Sequence, residues 1–412
     1  MPSPFPELPL PIRVADLEIA GGVPDLHRCH GYGGVYLLLR RHGYPLGTVT
    51  LSVSDDRVHA GAIAAAMHRR LSRQTKRALL LDDHPVVSGD PPGISIVVCT
   101  RDRPRSLERC LKSLACLEYP TFEVIVVDNA SISEATRQLA HTAGVRYVRE
   151  ERPGLDWARN RGYKAARYEI VAYTDDDTEV DPKWLAGLGA AFADPAVRAV
   201  SGLVLPAAMD TEAEVLFEFC YGGMGKGTIS HEWDPAVLSA SQRIGAHHVG
   251  VGANMAFRRD LLEELGGFDS ALDVGTPSHG GGDLDIFHRS LMAGAVIRYQ
   301  PAALVRHHHR RDMVGLRRQF TDNGRAFGVY LLTIFKRGAI PRHTTAWYSI
   351  RIWLAWLIGR IVKRFARREL LPLPLLLAEL WGAVQSPFAF LATYREDSRR
   401  RGLYSTPPHG RT

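Results

Sequence analysis

Three consecutive carboxylates, Asp175-Asp176-Asp177, follow the apolar run Glu169-Ile170-Val171-Ala172-Tyr173-Thr174. Like charges this close repel, and burial shifts their pKa values upward unless a cation neutralises them. A hard divalent ion bridging to phosphate oxygens resolves that conflict. The alternative is a solvated acidic turn leading to Glu179 and Asp181-Pro182, but such a turn has no need to be aimed by a strand. Asp283 stands in Gly280-Gly281-Gly282-Asp283-Leu284-Asp285, where a helix is expected to open and run from Ile286 to Met292. A carboxylate there is either a plain cap, stabilised by the N-terminal amides, or a general base that adjoining glycines let a reactive group approach. Arg306-His307-His308-His309-Arg310-Arg311 follows the strand-like Ala302–Val305. On a strand only His307 and His309 share a face. An imidazole there completes a carboxylate metal site, or the run is a solvated basic patch. Thr100-Arg101-Asp102-Arg103-Pro104 and Asp128-Asn129-Ala130-Ser131 set hydrogen-bonding side chains at two further strand ends, suited to a nucleotide base and ribose, while Arg103 and Arg159 suit phosphates.

The elements that must position these groups are legible from residue 94 onward. Ile94–Cys99, Phe122–Asp128, Val145–Val148 and Glu169–Thr174 read as strands, alternating with helical periods over Ser106–Leu117, Ser133–Ala143 and Trp157–Tyr168. That alternation predicts an α/β fold with a mostly parallel sheet and helices on both faces. Ligands of such sheets bind at the carboxyl ends of the strands, where Asp128 and Asp175–Asp177 fall. Residues 1–90 read as a separate small α+β module, with strands at Tyr32–Arg40 and Gly47–Val53 and a helix over Ala60–Leu79. A turn-rich linker from Asp82 to Gly93 then separates it from a domain at 91–312. No GxGxxG, GKS-type phosphate loop or GxSxG elbow is present, which counts against dinucleotide oxidoreductases, Walker-type enzymes and elbow hydrolases.

Taken together, these pieces resemble the family 2 glycosyltransferases of the GT-A (Rossmann-like) fold over residues 93 to 312. The match lies in Ser95-Ile96-Val97-Val98-Cys99-Thr100-Arg101-Asp102-Arg103-Pro104, Val126-Val127-Asp128-Asn129-Ala130-Ser131, Gly154-Leu155-Asp156-Trp157-Ala158-Arg159-Asn160, Thr174-Asp175-Asp176-Asp177, Gly252-Ala253-Asn254-Met255-Ala256-Phe257, Gly266-Gly267-Phe268-Asp269 and Gly282-Asp283-Leu284-Asp285. The resemblance implies an inverting transferase using a nucleotide-diphosphate sugar donor and a divalent metal, Mn2+ or Mg2+. It places Thr100, Arg103, Asp128 and Asn129 at the nucleoside and Arg159 and Asn160 at the ribose or pyrophosphate. Asp175 and Asp176 join the donor site, Asp177 is the metal ligand of the DxD motif, and Asp283 is the catalytic base. His307 lies near the metal and pyrophosphate, with His309 as the alternative. Two departures stand out: Gly282 replaces an acidic residue common before the base, and Arg101-Asp102 replaces a commoner Tyr-Asn.

The 412 residues, 45% hydrophobic and 23% charged, argue against a disordered or fibrous chain. Cys29, Cys99, Cys110, Cys116 and Cys220 form no CxxC pair, so neither a disulfide framework nor a zinc cluster is expected, and a reducing compartment is. The start of the sequence has prolines where a signal peptide needs an apolar stretch. Residues 313–412 read as a basic, Trp-rich helical region. From Asn323 to Arg368 there is no Asp or Glu, while Arg325, Lys336, Arg337, Arg342, Arg351, Arg360, Lys363, Arg364, Arg367 and Arg368 accompany Trp347, Trp353 and Trp356. Such a region suits an anionic membrane surface, and no nucleic-acid motif accompanies the charge. No run of ~20 uncharged apolar residues appears, the nearest being broken by Pro372, Pro374 and Glu379. The expectation is a cytoplasmic enzyme peripheral to the inner face of the cell membrane, with a lipid-linked or cell-envelope glycan as acceptor. The rival reading is a non-catalytic nucleotide-sugar-binding or scaffold protein that keeps the fold, with Gly282 as its mark of decay.

Overall fold

The structure, a computed structural model, describes residues 9–71, 91–365 and 370–405. The expected linker at 82–90, the second half of the expected helix up to Leu79, and Arg367 and Arg368 lie outside the described residues. In the N-terminal unit, β1 (Ile12–Glu18), β2 (Gly34–Arg41) and β3 (Tyr44–Ser52) form one sheet in the order β1-β2-β3, followed by α1 (Ala60–Arg70). The strand β1 escapes the sequence pattern because Arg13, Asp16 and Glu18 interrupt its apolar residues; it is held by parallel pairing with β2.

The central sheet begins with β4 (Ile94–Thr100), α2 (Pro104–Leu114), β5 (Phe122–Asn129), α3 (Ala135–Thr142), β6 (Arg146–Glu150), α4 (Leu155–Ala165) and β7 (Ile170–Asp175). Every residue of β4 is buried, as a central parallel strand covered on both faces requires. Alternate residues feed two cores: Val97, Cys99, Ile125 and Val127 enter one, while Ile94, Ile96, Val98 and Val126 meet Leu107, Cys110 and Leu111 of α2 in the other. Pro104 opens α2 at a position where its missing N–H costs nothing.

There follow β8 (Thr178–Val180), α5 (Trp184–Phe192), β9 (Val197–Pro206), β10 (His231–Trp233), β11 (Asn254–Arg258), α6 (Gly282–Met292) and β12 (Val296–His307). Strand order is β10-β12-β9-β11-β7-β4-β5-β6, with β8 paired to β12. The expectation of a mostly parallel sheet is corrected to a mixed one. Pairs β4–β5, β5–β6, β4–β7 and β9–β12 are parallel, whereas β11 runs antiparallel to both β7 and β9, and β8 and β10 run antiparallel to β12. The strand–helix alternation that specifies parallel crossovers ends after β7. Because β11 reverses direction twice over, β9 and β12 point the same way as β7, so β4, β5, β7 and β12 end at one edge.

The N-terminal unit packs on this sheet. Ile12, Tyr36 and Leu38 share a core with Leu203, Leu205, Met209, Tyr299 and Leu304. Arg40 joins Asp16 at 2.7 Å and Asp181 at 2.6 Å.

The C-terminal region consists chiefly of α7 (Met313–Arg337), α8 (Ala355–Phe365) and α9 (Leu373–Ser405). The run expected to be broken by prolines is one continuous helix. Pro372 precedes it and Pro374 lies in its first turn, where N–H groups have no helical partner to lose. Through Leu373–Leu403 it is also long and apolar enough to cross a membrane by length and composition, with 39% of its most apolar window buried in the protein. It is anchored by Arg360 to Glu379 at 3.2 Å, Arg325 to Gln385 at 2.7 Å and Ser270 to Asp397 at 2.7 Å.

Candidate active site

Strand register builds the acidic cluster. The chain leaves β7 at Asp175, turns through Asp176 and Asp177, and returns as β8, whose Thr178 pairs with His307 of β12. The amide of His308 donates to the Asp177 carbonyl at 2.9 Å. This lays the His307 ring beside the turn, with Nε2 3.2 Å from Asp177 Oδ1. Asp175, Asp177 and His307 each offer a ligand atom, all within 4.8 Å of one another.

Thr100, at the end of β4, donates to Asp176 at 2.6 Å, and Arg103 donates to Asp176 at 2.6 Å and Asp177 at 2.7 Å. Thr100 and Arg103, two of the residues expected at a nucleoside, therefore each have a carboxylate partner in the acidic turn. Burial, together with the neighbouring Asp177 charge, pushes Asp175 up to about 6. Burial pushes Asp176 to about 7 despite Arg103. Burial opposes the charged form of Asp177 too, but His307 and Arg103 outweigh it and hold its carboxyl well below the usual range. His307 is correspondingly raised: burial works against the imidazolium, and Asp177 wins. Two carboxylates and an imidazole, one buried and two half-buried, converge in a way that fits a divalent ion of the Mn2+ or Mg2+ kind, whose charge would oppose the repulsion that helps to lift Asp175.

Asp283 sits in the first turn of α6, where its Oδ2 accepts from the Gly252 amide and its Oδ1 from the Leu284 amide, both at 2.8 Å. Burial, then the negative charge of Asp273, raises its pKa, with Arg159 opposing. Arg159 is buried and bonded to Asp156 and Asp273. Its charge favours the ionised forms of Asp175 and Asp283, against the burial that raises both. The space beside Asp283 is informative. A Cβ built on Gly282 would lie 2.0 Å from Asp156 Oδ2, an oxygen that is buried and has no hydrogen-bond partner. Asp156 of α4 thus occupies the space that a side chain at position 282 would need.

The remaining expected residues fall apart from this cluster. Asp128 pairs with Thr100 in the β4–β5 register but directs its carboxylate to Tyr147 at 2.7 Å, Arg149 at 3.1 Å and the Ser131 amide at 3.2 Å. Asn129 clamps the loop before α4, donating to the Arg152 carbonyl at 2.7 Å and accepting from the Gly154 amide at 2.8 Å. Asn160 both donates to and accepts from the Phe268 backbone at 2.8 Å, which holds the 266–268 turn. His309 lies behind His307, not at the carboxylates, with 3.2 Å between their Nδ1 atoms.

Sequence reasoning passed over Asp156, Asp273, Tyr147 and Arg149. Asp156 lay inside a quoted motif, and an acidic residue two ahead of Ala158-Arg159-Asn160 was the available signal. Asp273 and Tyr147 gave none, because their roles arise from long-range packing.

Residues 95–266 match the profile of Glycosyl transferase family 2. The pre-mycofactocin glycosyltransferase of Mycobacterium tuberculosis is 27% identical over 250 residues, covering 57% of this chain and 48% of that protein. The glucosyl-dolichyl phosphate glucuronosyltransferase of Haloferax volcanii is 26% identical over 189 residues, covering 43% and 56%. The chain thus spans about half the length of these relatives. Among solved structures, a mannosyltransferase from Pyrobaculum calidifontis in complex with GDP-Man and Mn2+ overlays with a TM-score of 0.45 at 21% identity, covering 81% of this chain and 83% of that one.

Proposed function

We propose that this chain, a member of glycosyl transferase family 2 through its residues 95–266, moves a sugar from a nucleotide-diphosphate donor to an acceptor hydroxyl with inversion, assisted by a divalent metal. The observation that carries the reading is the meeting of Asp175, Asp177 and His307 at the carboxyl edge of the sheet. A divalent ion held by Asp175, Asp177 and His307 would neutralise the charge that develops on the departing nucleoside diphosphate. Asp283, fixed by two backbone amides, takes the proton of the acceptor hydroxyl as its oxygen attacks the anomeric carbon from the face opposite the leaving phosphate. One bond forms and one breaks, so the configuration inverts without an enzyme nucleophile. Burial, which raises the pKa of Asp283, makes its carboxylate a stronger proton acceptor than a solvated one. Asp128, flanked by Tyr147 and Arg149, and Asn129 border the nucleoside pocket. Thr100 and Arg103 hold Asp176 and Asp177 in place and face the phosphates. Asn160 shapes the pocket wall through Phe268.

The presence of Asp177, Asp283 and His307 together speaks against the decayed-scaffold reading. Nucleotide release from UDP-, dTDP- and GDP-sugars with Mn2+ or Mg2+, with a membrane lipid extract as acceptor source, tests the assignment. Release from one donor that Asp177→Ala and Asp283→Asn both abolish supports it. Donor binding without turnover under every acceptor favours the scaffold.

We also propose that the enzyme works at the cytoplasmic face of the cell membrane on a lipid-linked or cell-envelope glycan, with residues 313–405 as the docking platform of the 91–312 catalytic unit. Leu377, Trp381, Val384, Phe388 and Leu391 of α9, at spacings of three and four, are all large and exposed. Trp356, Ile358, Val362 and Phe365 are exposed on α8, beside the exposed Arg351, Lys363 and Arg364. An apolar stripe with cations at its margin suits insertion into the headgroup region of an anionic leaflet. The opposite face of α9 is occupied by protein contacts, which favours lying on the membrane over spanning it. The likeness to a glucosyl-dolichyl phosphate glucuronosyltransferase supports a lipid-linked acceptor. Co-sedimentation with anionic vesicles, weakened by salt and by Trp381→Ser with Phe388→Ser, is the expected result. Equal partitioning of the double variant would remove this surface from consideration.

A further inference from the structure

Behind His307 a line of polar side chains runs away from the acidic turn and into the N-terminal unit. His307 Nδ1 faces His309 Nδ1 at 3.2 Å, His309 Nε2 faces Glu218 Oε2 at 3.4 Å, and Glu218 Oε1 accepts from the Tyr36 hydroxyl at 3.4 Å. The His309 side chain is 1% exposed and that of Glu218 9%. His309 Nε2 and Glu218 Oε2 are both buried and, among the described residues, complete no hydrogen bond, so at 3.4 Å they face each other as an unclosed donor–acceptor pair. Glu218 lies on a π-helical turn, Leu216–Tyr221, a distortion that recurs at functional sites. The following turn leaves room for its carboxylate: a Cβ on Gly223 would come within 2.3 Å of Glu218 Oε2.

The chemistry of the donors gives this line a direction. A carboxylate only accepts, so His309 must donate from Nε2. A neutral His309 then offers Nδ1 as an acceptor, and His307 must donate from its own Nδ1. His307 Nε2 faces Asp177, and where a divalent ion took the place of the proton between them, the lone pair offered to it would be at Nε2.

We infer that Glu218 and His309 are positioning residues that fix the ring orientation and tautomer of His307 toward a divalent cation, and that Tyr36 of the N-terminal unit closes the line. The N-terminal unit then buttresses the metal site instead of serving as a detached accessory. This rests on the reading that Asp175, Asp177 and His307 hold the ion. Outer partners of a ligating histidine commonly change metal affinity by about 10–100-fold when removed.

The test is Mn2+ binding to the full chain, followed by electron paramagnetic resonance, with pulsed measurement of the coupling between Mn2+ and an imidazole nitrogen. Glu218→Ala is expected to weaken Mn2+ roughly tenfold or more and to diminish the nitrogen coupling, with Glu218→Gln falling between it and the wild type. Tyr36→Phe has a smaller effect in the same direction. Arg40→Ala, which loosens the same interface without touching the line, leaves affinity within about twofold, so a general loss of packing is separated from a loss of positioning. If Glu218→Ala fails to fold, Glu218→Gln and Tyr36→Phe carry the test. Unchanged affinity and coupling in the Glu218 variants, while His307→Ala loses both, would overturn this inference and leave the metal site standing. Mn2+ binding with no nitrogen coupling in the wild type would overturn the site reading and this inference with it.

Discussion

Substituting Gly282 probes the most unusual packing in the site. Gly282 is the first residue of α6, and its backbone is not in the left-handed region. Alanine is therefore allowed by conformation, and on helix propensity alone it would stabilise by about 0.5–1 kcal/mol. The obstacle is Asp156. The added Cβ would lie 2.0 Å from its Oδ2 and 2.7 Å from its Cγ, so the carboxylate must withdraw by roughly 1.4 Å to reach an ordinary contact. Asp156 is fully buried, and its other oxygen holds Arg159 at 2.9 Å, so withdrawal also disturbs Arg159 and Asp273. Overpacking of this kind costs about 1–3 kcal/mol. In an Asp156→Ala background the space is free, and Gly282→Ala should become neutral or slightly stabilising. A double-mutant cycle, read by urea unfolding with tryptophan fluorescence, should therefore give a coupling of about 1–3 kcal/mol with a change of sign in the effect of the Gly282 substitution. Additivity within about 0.5 kcal/mol would refute the claim that Asp156 occupies the place of a residue 282 side chain.

Two further outcomes follow from the framework around the site. Asp285, fully buried between Arg289 and Arg337, would be raised by burial, but the two guanidiniums hold its pKa below the usual carboxylate range. A depressed folded pKa adds stability above the unfolded value near 3.9 that is lost as pH falls through the folded value. Asp285→Asn should cost about 3–5 kcal/mol at neutral pH and flatten the loss of stability below about pH 4, as measured by unfolding across pH 3–6. A variant that unfolds with the wild-type acid dependence would contradict this. Asn254 accepts from Trp184 Nε1 at 2.9 Å and donates to the Leu203 and Ala303 carbonyls at 2.9 and 2.8 Å, which ties β11 to β9, β12 and α5. Asn254→Ala leaves these buried groups unpaired and should destabilise by about 3 kcal/mol; a loss below about 1 kcal/mol would show that the clasp is dispensable.

Much of the fold was legible because the segment 94–175 carries its instructions locally: continuous apolar runs for buried parallel strands, and amphipathic spacing between them. The acidic turn was legible for the same reason, since Asp175–Asp177 are contiguous and their strand precedes them. What escaped depends on pairing across distance. The antiparallel β11 is a short apolar run that parallel and antiparallel partners would use equally well. The charged β1 forms because β2 offers it an edge. At the start of α9 the sequence pattern reads Pro372 and Pro374 as breaks, whereas the first precedes the helix and the second lies in its first turn; Pro387 is carried inside the helix. Asp128 and Asn160 were visible as polar residues at strand and helix ends, but their partners Tyr147, Arg149 and Phe268 come from elsewhere in the chain. Glu218 carried no signal at all, because its placement arises only when the π-helical turn, Gly223 and the back of His307 come together.

The most direct test of the whole account is calorimetric binding of nucleotide-diphosphate sugars with and without Mn2+, to the wild type, Asp177→Ala and His307→Ala. The account predicts that one donor binds the wild type in a Mn2+-dependent manner, that Asp177→Ala abolishes the dependence, and that His307→Ala weakens it. Donor binding that ignores Mn2+, or Mn2+-dependent binding retained in Asp177→Ala, would contradict it.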